Sequence, residues 1–166
     1  MNAMREIKRK EKAITDVDEM KEILLKAQYV TLAMSKENQP YLVTLSHGYD
    51  PEKGVIFFHC ASEGKKIDYL TSNDVVWGQA LIDHGYAQGA CDHLYATTQF
   101  KGKVSFIHDM DEKMQALINM IQKLDKNPQA IINTQLREKS VAKVTIGRID
   151  IEYMTGKKQI TVNISL

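Results

Sequence analysis

What most constrains this chain is a succession of β-patterned segments with no helix between them. Tyr29-Val30-Thr31-Leu32-Ala33-Met34 is rich in β-branched and aromatic residues, Glu37-Asn38-Gln39 supplies a turn, and Tyr41 to His47 alternates again, which predicts a hairpin. Asp50-Pro51-Glu52-Lys53-Gly54 is a second turn in which Pro fixes φ and Gly relieves it. Val55-Ile56-Phe57-Phe58-His59 follows as an apolar, buried strand. Three antiparallel strands are expected in succession. Parallel pairing would need a crossover between strands, usually a helix, so alternating βαβ units and a Rossmann fold are not expected.

Helical patterns flank and interrupt these strands. Thr15-Asp16-Val17-Asp18 reads as a Thr cap with an acid three residues on, followed by Val17, Met20, Ile23, Leu24 and Ala27 at helical spacing. Ser62 is placed to cap a short helix through Ile67-Asp68-Tyr69-Leu70, which Asn73-Asp74 ends. Val75 to Ile82 and Tyr95 to Ile107 read as strands separated by a polar, Gly-containing stretch, Asp83 to Asp92, long enough to be a functional loop. Asp109 with Glu112 caps a helix that carries Met110, Met114, Leu117, Ile121 and Leu124 on one face, a spacing that suits core packing. Asn127-Pro128 breaks it, and a second helical piece runs roughly from Gln129 to Leu136.

Late in the chain the apolar phase slips. Val144 and Ile146 share one parity, Ile149, Ile151 and Tyr153 the other, and a bulge at Gly147 would reconcile them. After a turn at Thr155-Gly156-Lys157-Lys158, Ile160, Val162 and Ile164 alternate as a terminal strand. Six to seven strands with helices at the beginning, middle and late part give an α+β fold on an antiparallel barrel with peripheral helices. At 166 residues, 43% hydrophobic and 26% charged, this is one ordinary domain, residues 15–166, behind a basic N-terminal arm, residues 1–14, whose residues 5–12 read as solvated.

Charge and cysteine content narrow the function classes. A net charge of +1 lacks the basic surplus of a general nucleic-acid binder. No apolar run approaches the roughly 20 residues that span a bilayer, and the opening residues lack the apolar stretch of a secretory signal. Two cysteines, Cys60 and Cys91, suit a reducing compartment, and a cytoplasmic protein is expected. His84, Cys91 and His93 share one loop and are competent zinc ligands, but they match no closed four-ligand spacing, and no metal is expected.

The densest chemical segment is Phe58-His59-Cys60-Ala61-Ser62-Glu63-Gly64-Lys65-Lys66, a strand end leading into a helix start. Backbone N–H groups at a helix N-terminus favour an anion, Gly64 permits close approach, and Lys65 and Lys66 add positive charge, as a phosphate cradle would. Solvated lysines on an ordinary helix are the other reading. The preceding strand places Leu42, Thr44 and Ser46 on one face, two hydroxyls beside apolar surface, a strip able to take the polar edge of a flat heterocycle. Alternation sends His59 and Cys60 to opposite sides, which argues against a Cys–His catalytic pair.

Three blocks carry a resemblance: Gln39-Pro40-Tyr41-Leu42-Val43-Thr44-Leu45-Ser46-His47-Gly48-Tyr49-Asp50, then Phe57 through Leu70, and Ile149-Asp150-Ile151-Glu152-Tyr153-Met154-Thr155-Gly156-Lys157. In order and spacing, over roughly residues 12–158, the chain resembles the flavin-binding split barrels related to pyridoxamine 5′-phosphate oxidase, in the branch of nitroimidazole-resistance (Nim) proteins. The resemblance implies a split barrel and a homodimer with two FMN sites at the subunit interface. It gives Lys65 and Lys66, with Ser62 and Gly64, to the phosphate. Tyr41, Leu42, Val43, Thr44 and Ser46 fall to the ring, and His59 to the cofactor's side as the catalytic residue. Trp77, Gln79, Thr98 and Gln99 are implied for the opposite-subunit wall. Electrons would pass from a reduced donor through FMN to a small acceptor such as a nitroaromatic or quinone. The alternative on the same barrel is a non-catalytic module that carries FMN or haem. The C-terminus lacks the Trp- and Arg-containing ending of true pyridoxamine phosphate oxidases, which points away from vitamin B6 oxidation.

Overall fold

The computed structural model describes residues 6–159 and residue 161. A 3-10 turn at Lys10–Lys12 leads to β1 (Ala13–Ile14), α1 (Val17–Lys26), β2 (Tyr29–Lys36), β3 (Gln39–Ser46), β4 (Gly48–Asp50) and β5 (Val55–Cys60). These are followed by α2 (Lys65–Ser72), β6 (Val75–Ala87), β7 (Asp92–Ile107), α3 (Met110–Leu124), α4 (Pro128–Gln135), α5 (Glu138–Val141) and β8 (Thr145–Lys158). All pairings are antiparallel, in the order β3-β2-β6-β7-β8-β5-β4, with β1 on β8. The expected α+β antiparallel barrel is what forms; the eight strands among the described residues exceed the expected six to seven because β1 and β4 are too short to leave a sequence pattern. No helix among the described residues is long and apolar enough to cross a membrane.

The expected β2–β3 hairpin forms, with a turn of two residues in place of Glu37-Asn38-Gln39, since Gln39 and Pro40 already pair in β3. Glu37 and Asn38 both take positive φ, 50° and 60°, the pattern of a two-residue turn whose twist matches that of its strands, and this locks Lys36 opposite Gln39 and Thr31 opposite Thr44. The third strand does not extend that ladder. β5 pairs with β4 and β8 instead, so among the described residues β3 has β2 as its one neighbour, and β5 beyond Phe57 has only β8. Tyr41, Val43 and Leu45 from β3 and Phe58 and Cys60 from β5 nonetheless enter one core. Those two unladdered edges are the split of the barrel.

Four expectations need correction. The first helix is capped by Asp16, whose carboxylate accepts from the Asp18 N–H at 2.9 Å, one residue after the expected Thr15. The Asp83–Asp92 stretch is largely strand: β6 and β7 run on to Ala87 and Asp92 with an irregularity between Asp83 and Tyr86, leaving a short hairpin tip. Gly147 holds regular register opposite Phe58, and the extra residue of β8 is Glu152, between the Lys101–Tyr153 and Gly102–Ile151 pairs. Ile146 and Ile149 differ in parity because both faces of β8 are covered there, Ile149 by the barrel core and Ile146 by a second cluster with Val55, Phe57, Ile107, Ala116 and Met120 under α3. The fourth concerns the basic arm, which is tied down at its end: Ala13 and Ile14 pair with Lys157 and Gly156, and Lys12 approaches Asp92 at 3.9 Å. The expected terminal strand at Ile160, Val162 and Ile164 falls almost wholly on residues outside those described.

α3 carries the cap expected of it, with Asp109 accepting from the Glu112 N–H at 2.9 Å. It sits tightly on β4, where a Cβ on Gly48 would lie 2.2 Å from Asn119 Oδ1. The Asn119 amide donates to the Tyr49 carbonyl at 3.1 Å.

Candidate functional site

Three surfaces bear on function, and the fold places each by strand parity or by a helix end. The first is the outer face of β3, β2, β6, β7 and β8. Register aligns Thr44, Thr31, Gln79, Gln99 and Thr155 into one row of hydroxyls and amides that crosses all five strands. Alongside it runs a second row, Leu42, Ala33, Trp77, Lys101 and Tyr153. Thr31 and Thr44 share a hydroxyl hydrogen bond of 3.0 Å, and the Gln99 amide donates to Gln79 Oε1 at 3.1 Å. Trp77 meets Tyr153 edge-on at 6.3 Å. The rows frame a concavity of about 350 Å³, and its apolar rim is uncovered, with Leu42 64% and Trp77 41% exposed.

The second surface is the start of α2. Its N-cap is Gly64, at φ 117° with open space where a Cβ would stand, and no side chain caps the helix; the cap assigned to Ser62 is not made. The first-turn N–H groups are therefore left for another acceptor, beside two ammonium groups. Lys65 Nζ stands 4.5 Å from the Tyr41 ring centroid and 5.7 Å from that of Tyr69, and Lys66 Nζ 5.5 Å from that of Phe58. Tyr41 and Tyr69 pack at 5.1 Å, and the Asn73 amide donates to the Ser35 carbonyl, fastening the helix to the hairpin. An uncapped helix start, a glycine that leaves room and two cations fit a phosphate.

His59 marks the third surface. It is exposed on the α3 side of β5, lining a cavity of about 220 Å³ with Leu117, Met120, Ile121, Leu124 and Asp125. Cys60 turns inward, where burial raises its thiol pKa and the nearby Lys66 charge partly offsets that.

Of the residues singled out from sequence, Leu42, Gln79, Gln99 and Trp77 line the concavity, and Thr44 and Ser46 share its face. Tyr41 and Val43 face the core side instead, Tyr41 beneath Lys65. Thr98 is buried and turned inward, its hydroxyl donating to the Met20 carbonyl at 2.9 Å, so it holds α1 to the barrel and lines no wall. Lys65, Lys66 and Gly64 sit together at the helix start; His59 does not join them or the concavity within one chain. Sequence reasoning missed Thr31, Tyr69 and Tyr153. Thr31 was recoverable, because a two-residue turn at Glu37-Asn38 fixes it opposite Thr44.

Two titrating groups stand behind the split. His47 is fully buried, with Nε2–H donating to the Leu24 carbonyl at 2.8 Å and its pKa lowered to about 4 by burial and by the Lys123 charge. Burial also lowers the pKa of Lys123 to about 8; its amine donates to the Ala27 carbonyl at 2.6 Å. At the β6–β7 tip the His93 ring lies 2.8 Å from Asp83, and among the described residues no three His, Cys, Asp or Glu side chains converge to hold a metal.

A family model described as pyridoxamine 5′-phosphate oxidase matches residues 16–158. Among solved structures, the fold is similar to that of a candidate 5-nitroimidazole antibiotic resistance protein from Bacteroides thetaiotaomicron (TM-score 0.76, 26% identity, 87% of this chain and 85% of that one). It is similar also to the flavocytochrome Anf3 from Azotobacter vinelandii (0.77, 16%, 92% and 72%) and the haem storage protein HutZ from Vibrio cholerae (0.61, 16%, 86% and 94%). No curated protein matches the chain.

Proposed function

The chain belongs to the pyridoxamine 5′-phosphate oxidase family, and from that premise we propose that it is a cytoplasmic, homodimeric FMN-binding oxidoreductase. It would pass electrons from a reduced donor to a small acceptor such as a nitroaromatic or quinone. The observation that carries the reading is the uncapped, lysine-flanked start of α2 at the end of the β3 edge. FMN supplies reversible electron transfer when bound. The chain's part is to hold the phosphate on the α2 N–H groups, Lys65 and Lys66, and to present the Thr44 edge to the ring.

Dimerisation answers what one chain leaves open. The helix start and the concavity with Trp77, Gln79 and Gln99 lie on different surfaces of one barrel, and the concavity is flanked by Leu42 and Trp77, each of which gives about 1.5–3 kcal/mol on full burial. A second copy covering this face would bring its own helix start toward these side chains. In this reading His59, exposed at the end of β5 and apart from both surfaces of its own chain, would donate a proton to the ring's edge in a site shared between subunits. The 26% identity with the Bacteroides protein supports a nitroaromatic acceptor. Two free thiols, Cys60 and Cys91, support a reducing compartment.

A second reading is favoured by the flavocytochrome and haem-storage likenesses: the barrel carries flavin or haem without turnover. Absorption spectra with added FMN or haem, followed by anaerobic NADH or NADPH, separate the two. Replacing Lys65 and Lys66 together by Ala is expected to weaken FMN by more than 100-fold, at about 1.5–3 kcal/mol for each charge-assisted bond, and riboflavin by less than threefold. Equal losses for the two flavins reject the phosphate assignment. A monomer that binds FMN at full affinity rejects the shared site.

A further inference from the structure

Between the C-terminus of α1, the open end of the β2–β3 hairpin and the C-terminus of α3 lies a cavity of about 420 Å³ that the flavin reading does not use. Lys123 reaches it from α3. Its ammonium group is half-buried, donates to the Ala27 carbonyl at 2.6 Å and, among the described residues, has no carboxylate within ion-pair distance. The other lysine of the lining, Lys26, is paired with Glu22 at 3.0 Å, and buried His47 is neutral near pH 7. A half-buried cation without a counter-ion is costly, and the cavity mouth is open to supply one.

The remaining walls describe the body that such an anion would be attached to. Tyr29, Leu25 and Leu124 give apolar surface that is 54%, 36% and 46% exposed, and Ser46 adds one hydroxyl. With Lys26 paired to Glu22, the lining offers one unpaired positive charge and one hydroxyl, a match in charge for a monoanionic carboxylate and one charge short of a phosphate dianion. Tyr29 and Ser46 are a cross-strand pair on the same outer face as the Thr31–Thr44 pair, one step farther along, and Leu124 also walls the His59 cavity.

We propose that this cavity seats a small aromatic carboxylate, its carboxylate on Lys123 and its ring against Tyr29 and Leu124. That the bound molecule is the electron acceptor rests on the flavoprotein reading; the anion seat itself does not.

The test compares 4-nitrobenzoate with its neutral isostere 4-nitrobenzamide at pH 7, by calorimetric titration of the full chain with and without FMN. The wild type is expected to bind the benzoate at least tenfold more tightly. K123M should erase that preference and K123R should keep most of it, with unchanged circular dichroism in both. Equal affinities in the wild type, or a preference that survives in K123M, overturn the proposal. The same samples titrated with FMN keep the two readings apart. Loss of the carboxylate preference with normal FMN binding rejects only the seat. A persistent preference without FMN binding rejects only the flavoprotein reading.

Discussion

The two ends of the sheet are built alike on the inside and differently on the outside. Inside, each carries a Gly facing a Phe across the strand pair, Gly78 opposite Phe100 and Gly147 opposite Phe58, and in both a Cβ would lie 2.1 Å from the ring. Outside, the β5–β8 end is roofed by α3 over Val55, Phe57 and Ile146, whereas the β3–β2–β6 end leaves Leu42 and Trp77 in water beside a row of Thr and Gln. One end met its covering within the chain. The other kept hydrogen-bonding groups among large apolar side chains, the composition of a face that another molecule covers.

The sharpest way to break this comparison is to truncate one side chain from each outer face. Phe57→Ala should cost about 3–5 kcal/mol in urea unfolding, the range for emptying an aromatic site under a packed helix. Leu42→Ala, at dilutions where the chain is monomeric, should stay within about 0.5 kcal/mol and show its effect only on self-association or flavin affinity. A Leu42→Ala loss as large as that of Phe57→Ala would mean that the open face is already covered.

His47, which follows β3 and is fastened to α1, adds a pH dependence to the fold. His47 titrates near 6.5 when unfolded and about 4 when folded, so the folded state favours the neutral ring. Its contribution is complete above the unfolded value and is lost as pH falls through the folded one, because protons then bind the unfolded chain first. The loss between pH 6.5 and 4 should reach about 3 kcal/mol. Denaturation midpoints across that window should flatten in His47→Gln relative to the wild type, and an unchanged slope would remove His47 as the cause.

The same contrast explains what could be read in advance. The hairpin, the α3 cap and the Leu42–Thr44–Ser46 strip were legible because each depends on residues close in sequence: a two-residue turn, an Asp three before a Glu, and alternation. β8 misled because parity reports which face is apolar only while one face is buried, and both Ile146 and Ile149 are covered. Gly147 thus looked like a bulge when its role is to admit Phe58. The row from Thr44 to Thr155 was illegible for another reason. It is assembled across five strands by register that no single strand encodes, and Thr98 was misplaced because its neighbour Gln99, one residue on, faces the opposite way.

Glycine substitutions test the likeness of the two inner faces. Gly78→Ala and Gly147→Ala should each cost about 1–3 kcal/mol, the ordinary range for overpacking, because each Cβ meets a fully buried ring. Similar losses, measured by thermal unfolding, keep the inner faces equivalent and leave the difference to the outer ones. A loss confined to Gly147 would place part of the difference inside the barrel.

The smallest effect distinguishes the two helix starts. Asp109 closes the N-terminus of α3, the helix that roofs the sheet, whereas α2 begins at Gly64 with no side-chain cap although Ser62 stands two residues before it. Asp109→Ala should cost about 1 kcal/mol, a typical cap loss, and Ser62→Ala should leave apo stability within about 0.5 kcal/mol. A helix whose job is structural satisfies its own N–H groups; one whose start receives a ligand leaves them open. Ser62→Ala becomes informative only when stability is measured again with FMN present. A ligand seated on that start stabilises the fold through its affinity, and the increment should shrink if the Ser62 hydroxyl turns toward the phosphate. A full cap-sized loss in the apo protein would instead show that Ser62 closes the helix in solution and that α2, like α3, begins as a structural element.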